Sequence, residues 1–300
     1  MKKEKGAELA FGPNEAPVKR WVLFYVLVYL GAYVGNVPPV ILKMFWSCEG
    51  VWTWVPALVT TLLGFSFSLA IAAWLSRKVI KTTLKELILG AGRKVDLRQC
   101  GRIALAVVAG FVLSYVVDIM VLNPGKTALS TVGALPVIVN FIICLALVWM
   151  QTTWEEVLFR CVFLRATCGN NIRPTFKCLA WGVFATVLFM SGHFSNPEVT
   201  SQTDTLMLVL GCISYFISGF GMYLADVVYG SCMPGCVIHW ANNFILFTII
   251  NQSGSALDSG ALFYSSAPQN GAASFVGTLL LYVPIAALLI HDWRKMHRTA

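Results

Sequence analysis

Charged residues are scarce in this chain of 300 residues, of which Asp, Glu, Lys and Arg make up 12%. Soluble domains carry about 25% charged residues, so the composition argues against an ordinary soluble protein. The hydrophobic fraction is 57% and the mean hydropathy is +0.72, which indicates an integral membrane protein. The net charge of +8 does not predict nucleic-acid binding, because the basic residues lie between apolar segments and not on a face interleaved with aromatic residues.

Short metal and redox motifs are also missing. The chain has no CxxC pair and no HExxH sequence. Cys232 and Cys236 stand four residues apart, without the second pair that would complete a zinc site. Free thiols in apolar segments pack as small hydrophobic groups, which is what we expect for the nine cysteines, at 48, 100, 144, 161, 168, 178, 212, 232 and 236.

Eight apolar segments are long enough to cross the hydrocarbon core, which requires about 20 helical residues. We therefore predict an all-α, polytopic membrane protein with about eight transmembrane helices. Pro38 and Pro39 should break or kink the first of them. The predicted spans are 21–45, 53–75, 103–123, 138–165, 178–198, 206–229, 232–251 and 273–292.

The distribution of Lys and Arg predicts the orientation. The segments 1–20, 76–102, 160–177 and the C-terminal tail hold 20 of these 22 residues, so the positive-inside rule places both termini in the cytoplasm. We expect a plasma-membrane protein with a disordered tail at 1–20. This tail should not be a signal peptide, because the long apolar stretch after it lacks a small-residue cleavage site.

The loop 76–102 is strongly basic and has two interpretations. Lys78, Lys81 and Lys85 recur at near-helical spacing among apolar residues, which predicts an interfacial amphipathic helix. The alternative is a plain positively charged loop.

Two adjacent glutamates lie inside the fourth apolar segment. A charged side chain within the bilayer costs about 2.5–3.5 kcal/mol on insertion scales, so Glu155 and Glu156 are candidates for a functional site. Glu156 and Arg160 are four residues apart and can form an ion pair. Adjacent helical residues point about 100° apart, which leaves Glu155 to face a polar cavity as a general base. The alternative is that both carboxylates pair with Arg160 and other polar groups and only fix helix packing.

Two of the four histidines, His193 and His239, fall inside or at the edge of apolar segments. His239 and Asn243 share one helix face, where an imidazole and an amide could direct two donors at one oxyanion. The structural alternatives are a satisfied buried histidine at each position and an interhelical hydrogen bond from Asn243, worth about 0.6 kcal/mol. Buried carboxylates together with buried imidazoles suggest acid–base chemistry within the bilayer.

Three motifs in order along the chain, Glu-Glu-x-x-x-Arg, Phe-x-x-x-His and His-x-x-x-Asn, together resemble the CPBP family of membrane proteases. This family includes type II CAAX prenyl proteases and bacteriocin-processing or immunity proteins. The resemblance covers about residues 140–250 and departs from many relatives at Cys161, where they have glycine; we do not expect this change to remove the active site. The matching residues are Glu155, Glu156, Arg160, Phe189, His193, His239 and Asn243.

The resemblance implies peptide hydrolysis by a glutamate-activated water. It assigns Glu155 as the general base, with His193 helping to hold the water, and it assigns His239 and Asn243 to the oxyanion hole. Glu156 would support the site through its ion pair. No cofactor is favoured. The alternative is a zinc ion bound by Glu155, His193 and His239 with an open position for water, although no HExxH motif supports it.

Two other classes of function stay open. One is a non-catalytic immunity or regulatory membrane protein of the same family, and the other is an ion-coupled transporter that uses the buried glutamates as proton relays. Paired broken helices in two matching halves, which would favour a transporter, are not visible. Asp118 and Asp226 lack the flanking sequences of an aspartyl intramembrane protease, and we expect Asp226 to lie at the membrane interface.

The predicted organisation has four parts. They are a cytoplasmic tail at 1–20, N-terminal transmembrane helices at 21–130 with the basic loop 76–102, a CPBP-like catalytic core at 138–251, and a last helix with a basic tail at 273–300. The expected partners are a peptide or protein substrate at the membrane and the lipid bilayer, with no nucleic acid.

Overall fold

The computed structural model describes residues 16–298, except for the side chains of Pro197, Glu198, His297 and Arg298. Most of the tail predicted at 1–20 therefore lies outside the described residues. Helices dominate the described part. They are α1 Val18–Phe45, α2 Trp54–Val79, α3 Leu84–Leu89, α4 Leu97–Val117, α5 Ala134–Glu156, α6 Val162–Cys168, α7 Phe176–Gly192, α8 Pro197–Thr200, α9 Thr205–Tyr229, α10 Met233–Thr248 and α11 Gly271–Arg298.

Each of the eight predicted spans overlaps a helix, and the prediction of an all-α, polytopic membrane protein is confirmed. The count of eight is approximate. Within residues 16–298, six helical stretches are long and apolar enough to cross a membrane, whereas α7 has 17 residues and α10 has 16. The six stretches are Val18–Phe45, Gly50–Val79, Leu97–Leu122, Ala134–Cys168, Thr205–Tyr229 and Gly271–Met296.

Helix α1 continues through Pro38 and Pro39 without a break. Proline is tolerated in membrane helices because neighbouring groups can satisfy the carbonyls that it leaves without a donor. α1 packs closely on α2, where a Cβ atom at Gly35 would lie 2.9 Å from the backbone nitrogen of Ser68. Glycine is therefore required at this helix crossing.

The basic loop does not form one amphipathic helix. α2 extends to Val79, Lys81 adopts a left-handed conformation with a φ of 57°, and a new helix, α3, starts at Leu84. A capping box of Thr83 and Glu86 satisfies the first turn of α3. The left-handed residue and the new cap end the helical periodicity on which the amphipathic interpretation depends.

A π-helical turn, Val157–Cys161, joins α5 to α6 directly after the two glutamates. The resulting helical stretch runs from Ala134 to Cys168, so the expectation that the helix continues past the glutamates is confirmed. π-Helical turns inside α-helices are rare and often occur at functional sites.

Three short strands form a sheet that connects the segment before α5 to the segment between α10 and α11. β1 (Thr127–Leu129) pairs antiparallel with β3 (Phe263–Ser265), and β2 (Ile250–Gln252) pairs parallel with β3. The register places Thr127 opposite Ser265 and Ile250 opposite Phe263. β2 begins two residues after α10 ends, so the sheet holds α10 near the start of α5.

Candidate active site

The carboxyl groups of Glu155 and Glu156, at the end of α5, reach the same imidazole on α10. Oε1 of Glu156 lies 2.6 Å from Nδ1 of His239, and Oε2 of Glu155 lies 3.4 Å from Nε2. All three residues are buried, with 7% exposure or less. The expectation that the two glutamates face different directions is therefore wrong for their carboxyl groups. Both side chains are long enough to converge on one ring.

Arg160, on the π-helical turn, pairs with Glu156 as the four-residue spacing predicts. The guanidinium also lies over the ring of Phe189, 4.5 Å from its centroid, and its Nε donates to the carbonyl of Gly219 on α9. Arg160 is only 2% exposed. A buried cation requires such partners, because leaving water costs several kcal/mol per ion.

Asn243 lies one turn after His239 on α10, and its Nδ2 donates to Oε1 of Gln151 at 3.1 Å. Gln151 in turn donates from Nε2 to Oε1 of Glu155 at 2.6 Å. Gln151 was not among the residues predicted from the sequence. The signal that could have identified it is its position, because it is a polar residue in an apolar segment, one helical turn before Glu155.

His193, at the end of α7, is half-buried and joins the cluster through Phe189. Its Nδ1 lies 2.8 Å from the carbonyl oxygen of Phe189, and its ring lies 4.5 Å from the rings of both Phe189 and Tyr215. Phe189 then meets the ring of His239 edge-on at 5.9 Å. Because a carbonyl can only accept, Nδ1 of His193 carries a proton, and in the neutral form of the ring Nε2 has the lone pair.

Asp226, three residues before the end of α9, is fully buried in the protein, and its position at the membrane interface stays a prediction. Its Oδ1 accepts the backbone N–H of Gly235 at 2.7 Å, in the first turn of α10. A Cβ atom at Gly235 would lie 2.8 Å from Oε2 of Glu156 and 2.9 Å from Oδ2 of Asp226. The turn after α9 brings the amino end of α10 back over Asp226, where the free N–H groups of a helix start favour a carboxylate.

The zinc alternative requires Glu155, His193 and His239 to meet around one ion. Among the side chains that the structure describes, no group of three or more His, Cys, Asp or Glu residues could hold a metal ion. Both ring nitrogens of His239 face carboxylates instead. These residues do not fit a zinc site in this arrangement.

The cluster joins acceptors and donors in a buried setting. Three carboxyl groups, from Glu155, Glu156 and Asp226, lie near one guanidinium and one imidazole that is held between two of the carboxyl groups. Such an arrangement can accept a proton from a bound water and can donate hydrogen bonds to a developing negative charge. Side chains from α5, the π-helical turn and α10 contact one another directly in this cluster. His193, at the end of α7, is separated from His239 by the ring of Phe189.

This part of the chain resembles a known protein family. Residues 137–245 match the model of a family described as Type II CAAX prenyl endopeptidase Rce1-like. Glu155, His193, His239 and Asn243 all lie inside the match, and the resemblance drawn from the three motifs is confirmed for this segment. The N-terminal spans lie outside it.

One similar protein is the uncharacterized protein YyaK of Bacillus subtilis (strain 168). It is 28% identical over 184 residues, which are 61% of this chain and 58% of YyaK. The chain thus spans less than two thirds of the length of this relative. No solved structure matches the chain.

Proposed function

We propose that this protein is an intramembrane endopeptidase that hydrolyses a peptide bond with a glutamate-activated water. The observation that carries the proposal is the carboxylate of Glu155, which is buried in a membrane helix 3.4 Å from His239. The match of residues 137–245 to an endopeptidase family supports the same activity. A buried carboxylate with a nearby imidazole is suited to accept a proton from water.

In the proposed reaction, Glu155 takes a proton from the attacking water and passes it to the leaving amine. The lone pair on Nε2 of His193 would accept a hydrogen bond from the same water. His239 and Asn243 would donate to the oxyanion of the tetrahedral intermediate, where one such donor is worth about 10²–10³-fold in rate. Glu156 holds His239 by its Nδ1 and is itself held by Arg160.

Both proposed oxyanion donors have partners within the protein. Asn243 donates to Gln151, and the nitrogens of His239 face Glu155 and Glu156. A substrate carbonyl would therefore replace Gln151 as the acceptor for Asn243. This exchange would make the donor available only when a peptide is bound, which would favour peptide cleavage over side reactions.

The proposed substrate is a peptide or protein segment that reaches the site from the bilayer or its surface. The described family acts on prenylated CAAX sequences by its name, so the first probes are two quenched fluorescent peptides. One carries an S-farnesylated cysteine three residues from its carboxyl end, and the other has the same sequence without the lipid. Cleavage of only the first would indicate a prenylated substrate, and cleavage of both would indicate a broader peptidase.

The decisive variant is Glu155→Gln, which keeps the volume of the side chain and removes the base. We expect membranes with this variant to accumulate an uncleaved precursor that wild-type membranes process. The measurement is a comparison of the amino termini of all membrane proteins, with inserted protein quantified in parallel. We expect turnover to fall by about 10²–10⁴-fold, the usual contribution of a general base, while folded yield stays near that of the wild type.

The matched control is Glu49→Gln, an identical change at an exposed position between α1 and α2. It should leave both processing and yield unchanged. Normal processing by the Glu155→Gln protein would exclude Glu155 as the base. A wild-type protein with no Glu155-dependent cleavage would contradict the protease proposal and favour a non-catalytic membrane partner.

A further inference from the structure

Gln151 contacts both parts of the proposed catalytic machinery. Its Nε2 donates to Oε1 of Glu155 at 2.6 Å, and its Oε1 accepts from Nδ2 of Asn243 at 3.1 Å. The side chain is 6% exposed, so water does not compete strongly for either bond. One buried amide thus bridges the proposed base on α5 and a proposed oxyanion donor on α10.

The carboxylate sets the direction of this hydrogen-bond chain. As the base of the proposed reaction, Glu155 is ionised and can only accept, so Gln151 presents its NH₂ group to Glu155 and its oxygen to Asn243. Asn243 must then present its own NH₂ group to Gln151, and its Oδ1 is left to accept from Nδ2 of Asn242 at 2.9 Å. The orientation of Asn243 is therefore determined through Gln151 by a charge on another helix.

We infer that Gln151 is a positioning residue for the reaction proposed above, on which this inference rests. It holds the carboxylate of Glu155 in place and keeps the NH₂ group of Asn243 directed toward α5. In the substrate complex, the peptide carbonyl takes over the Asn243 donor while Gln151 retains Glu155. Loss of Gln151 should thus disturb the alignment of base and donor more than it weakens substrate binding.

The chain offers a matched structural control on the same pair of helices. Asn140, also on α5 and fully buried, donates from Nδ2 to the carbonyl of Phe247 on α10 at 2.7 Å. This bond joins the same two helices through the same chemical group, three turns before Gln151. Asn140→Leu therefore measures how much stability the protein loses when a side-chain amide no longer joins α5 to α10.

The experiment uses the full-length protein in liposomes and a quenched fluorescent peptide. The peptide contains the cleavage site found by comparing wild-type and Glu155→Gln membranes. We expect Gln151→Met, which preserves length and removes both hydrogen bonds, to lower kcat by about 10²-fold, as a small misplacement of reacting groups does. KM and folded yield should stay close to the wild-type values. Asn140→Leu should lower stability and leave the kcat of the folded protein unchanged.

A second background separates positioning from packing. In an Asn243→Ala protein the amide to be oriented is gone, so adding Gln151→Met should lower kcat by a clearly smaller factor than in the wild type. Gln151→Glu keeps an acceptor for Asn243 but places a second carboxylate against Glu155. We expect it to lose at least as much activity as Gln151→Met. If Gln151→Met does not fold, Gln151→Glu is introduced into the wild type and into the Asn243→Ala protein, and the two factors in kcat are compared in the same way.

Three results would overturn the inference. These are a wild-type kcat for Gln151→Met, an equal loss of kcat for Asn140→Leu, or an equal factor in the Asn243→Ala background. Each of them leaves the proposed function intact as long as Glu155→Gln stays inactive. Turnover by the Glu155→Gln protein would instead contradict the proposed function itself.

Discussion

Two buried arginines on one continuous helical stretch have very different surroundings. Arg160 pairs with the carboxylate of Glu156 and lies over an aromatic ring. Arg165 is 1% exposed and lies five residues later. Among the described residues it donates only to backbone carbonyls, those of Leu87, Ile88 and Gly169. The same side chain thus belongs to a cluster of ionisable groups in one case and caps the ends of two short helices in the other.

The difference shows how to separate a site from a structural support in this fold. The surroundings of Arg160 contain ionisable side chains that can exchange protons and hydrogen bonds with one another. Acid–base catalysis requires groups of this kind. The surroundings of Arg165 contain carbonyls at the ends of α3 and α6, where a cation is favourable because of the helix dipole. We call these two surroundings the Arg160 region and the Arg165 region.

The largest expected effect is a loss of stability in the Arg160 region. Arg160→Ala should destabilise the protein by about 3–5 kcal/mol, because it leaves the carboxylate of Glu156 buried without its cation. The double change Glu156→Gln with Arg160→Met should recover much of this loss, since a neutral pair leaves no charge unpaired. Thermal unfolding of purified protein in detergent is the measurement. A double variant as unstable as Arg160→Ala would contradict this account.

Arg165→Met should also lower stability, because each carbonyl that loses its donor costs roughly 1–3 kcal/mol. No second substitution can neutralise this loss, since the partners are backbone groups. The kcat of the folded fraction should stay at the wild-type value. A change in kcat without a change in stability would place Arg165 in the catalytic machinery and remove the distinction between the two regions.

A smaller effect is expected from the proposed oxyanion donors near the Arg160 region. His239→Ala and Asn243→Ala should each lower kcat by about 10²–10³-fold. The double variant should lose less than the product of the two factors, because both donors serve one oxyanion. Steady-state kinetics on the identified peptide tests this. A change confined to KM would assign the residue to substrate binding.

The stability of the Arg165 region should depend weakly on pH. This dependence comes from α3, whose carbonyls Arg165 contacts. The backbone N–H and the hydroxyl of Thr83 donate to Glu86 and hold the pKa of that carboxyl below its usual value. A lowered pKa in the folded state stabilises the protein above the unfolded pKa, and this contribution disappears as the pH falls through the folded pKa.

Thr83→Ala should therefore cost about 1 kcal/mol at neutral pH, a typical value for a lost helix cap. The difference from the wild type should shrink in acid, below the usual pKa range of Glu. Hydrogen exchange of the amides of α3 at several pH values measures it. A difference that does not vary with pH would show that Glu86 takes no part in the cap.

The smallest expected effect is that of metal removal. In the proposed reaction Glu155 and His193 act on water without an ion, so protein treated with a strong chelator and dialysed should keep its activity. Elemental analysis should find less than one ion per chain. Activity that disappears and then returns with zinc, together with about one bound ion per chain, would make Glu155, His193 and His239 metal ligands.

Much of the fold was predictable because each membrane span is a local property of about 20 consecutive residues. The eight predicted segments all overlap helices, and two of these helices, α7 and α10, are shorter than the six that are long enough to cross a membrane. The basic loop was less predictable. Its periodicity continues on both sides of Lys81, but the left-handed backbone there separates α2 from α3.

The candidate site was predictable where the partners are one helical turn apart. The ion pair of Glu156 with Arg160 follows from a spacing of four residues. The contact of Glu156 with His239 spans 83 residues of sequence, and that of Gln151 with Asn243 spans 92. Spacing within one helix carries no information on how a second helix is rotated against it.

The sequence by itself determined the membrane class, most of the helices and the local ion pair, because composition and short spacings act within one helix. Its three motifs also gave the family resemblance of about residues 140–250. Only the tertiary structure decided that Glu155 and Glu156 share one imidazole, that Asp226 is buried, and that Gln151 bridges α5 and α10. These contacts depend on the packing of α5, α9 and α10. The reason is physical, since buried polar groups must find hydrogen-bond partners, and several partners become available only when distant helices meet.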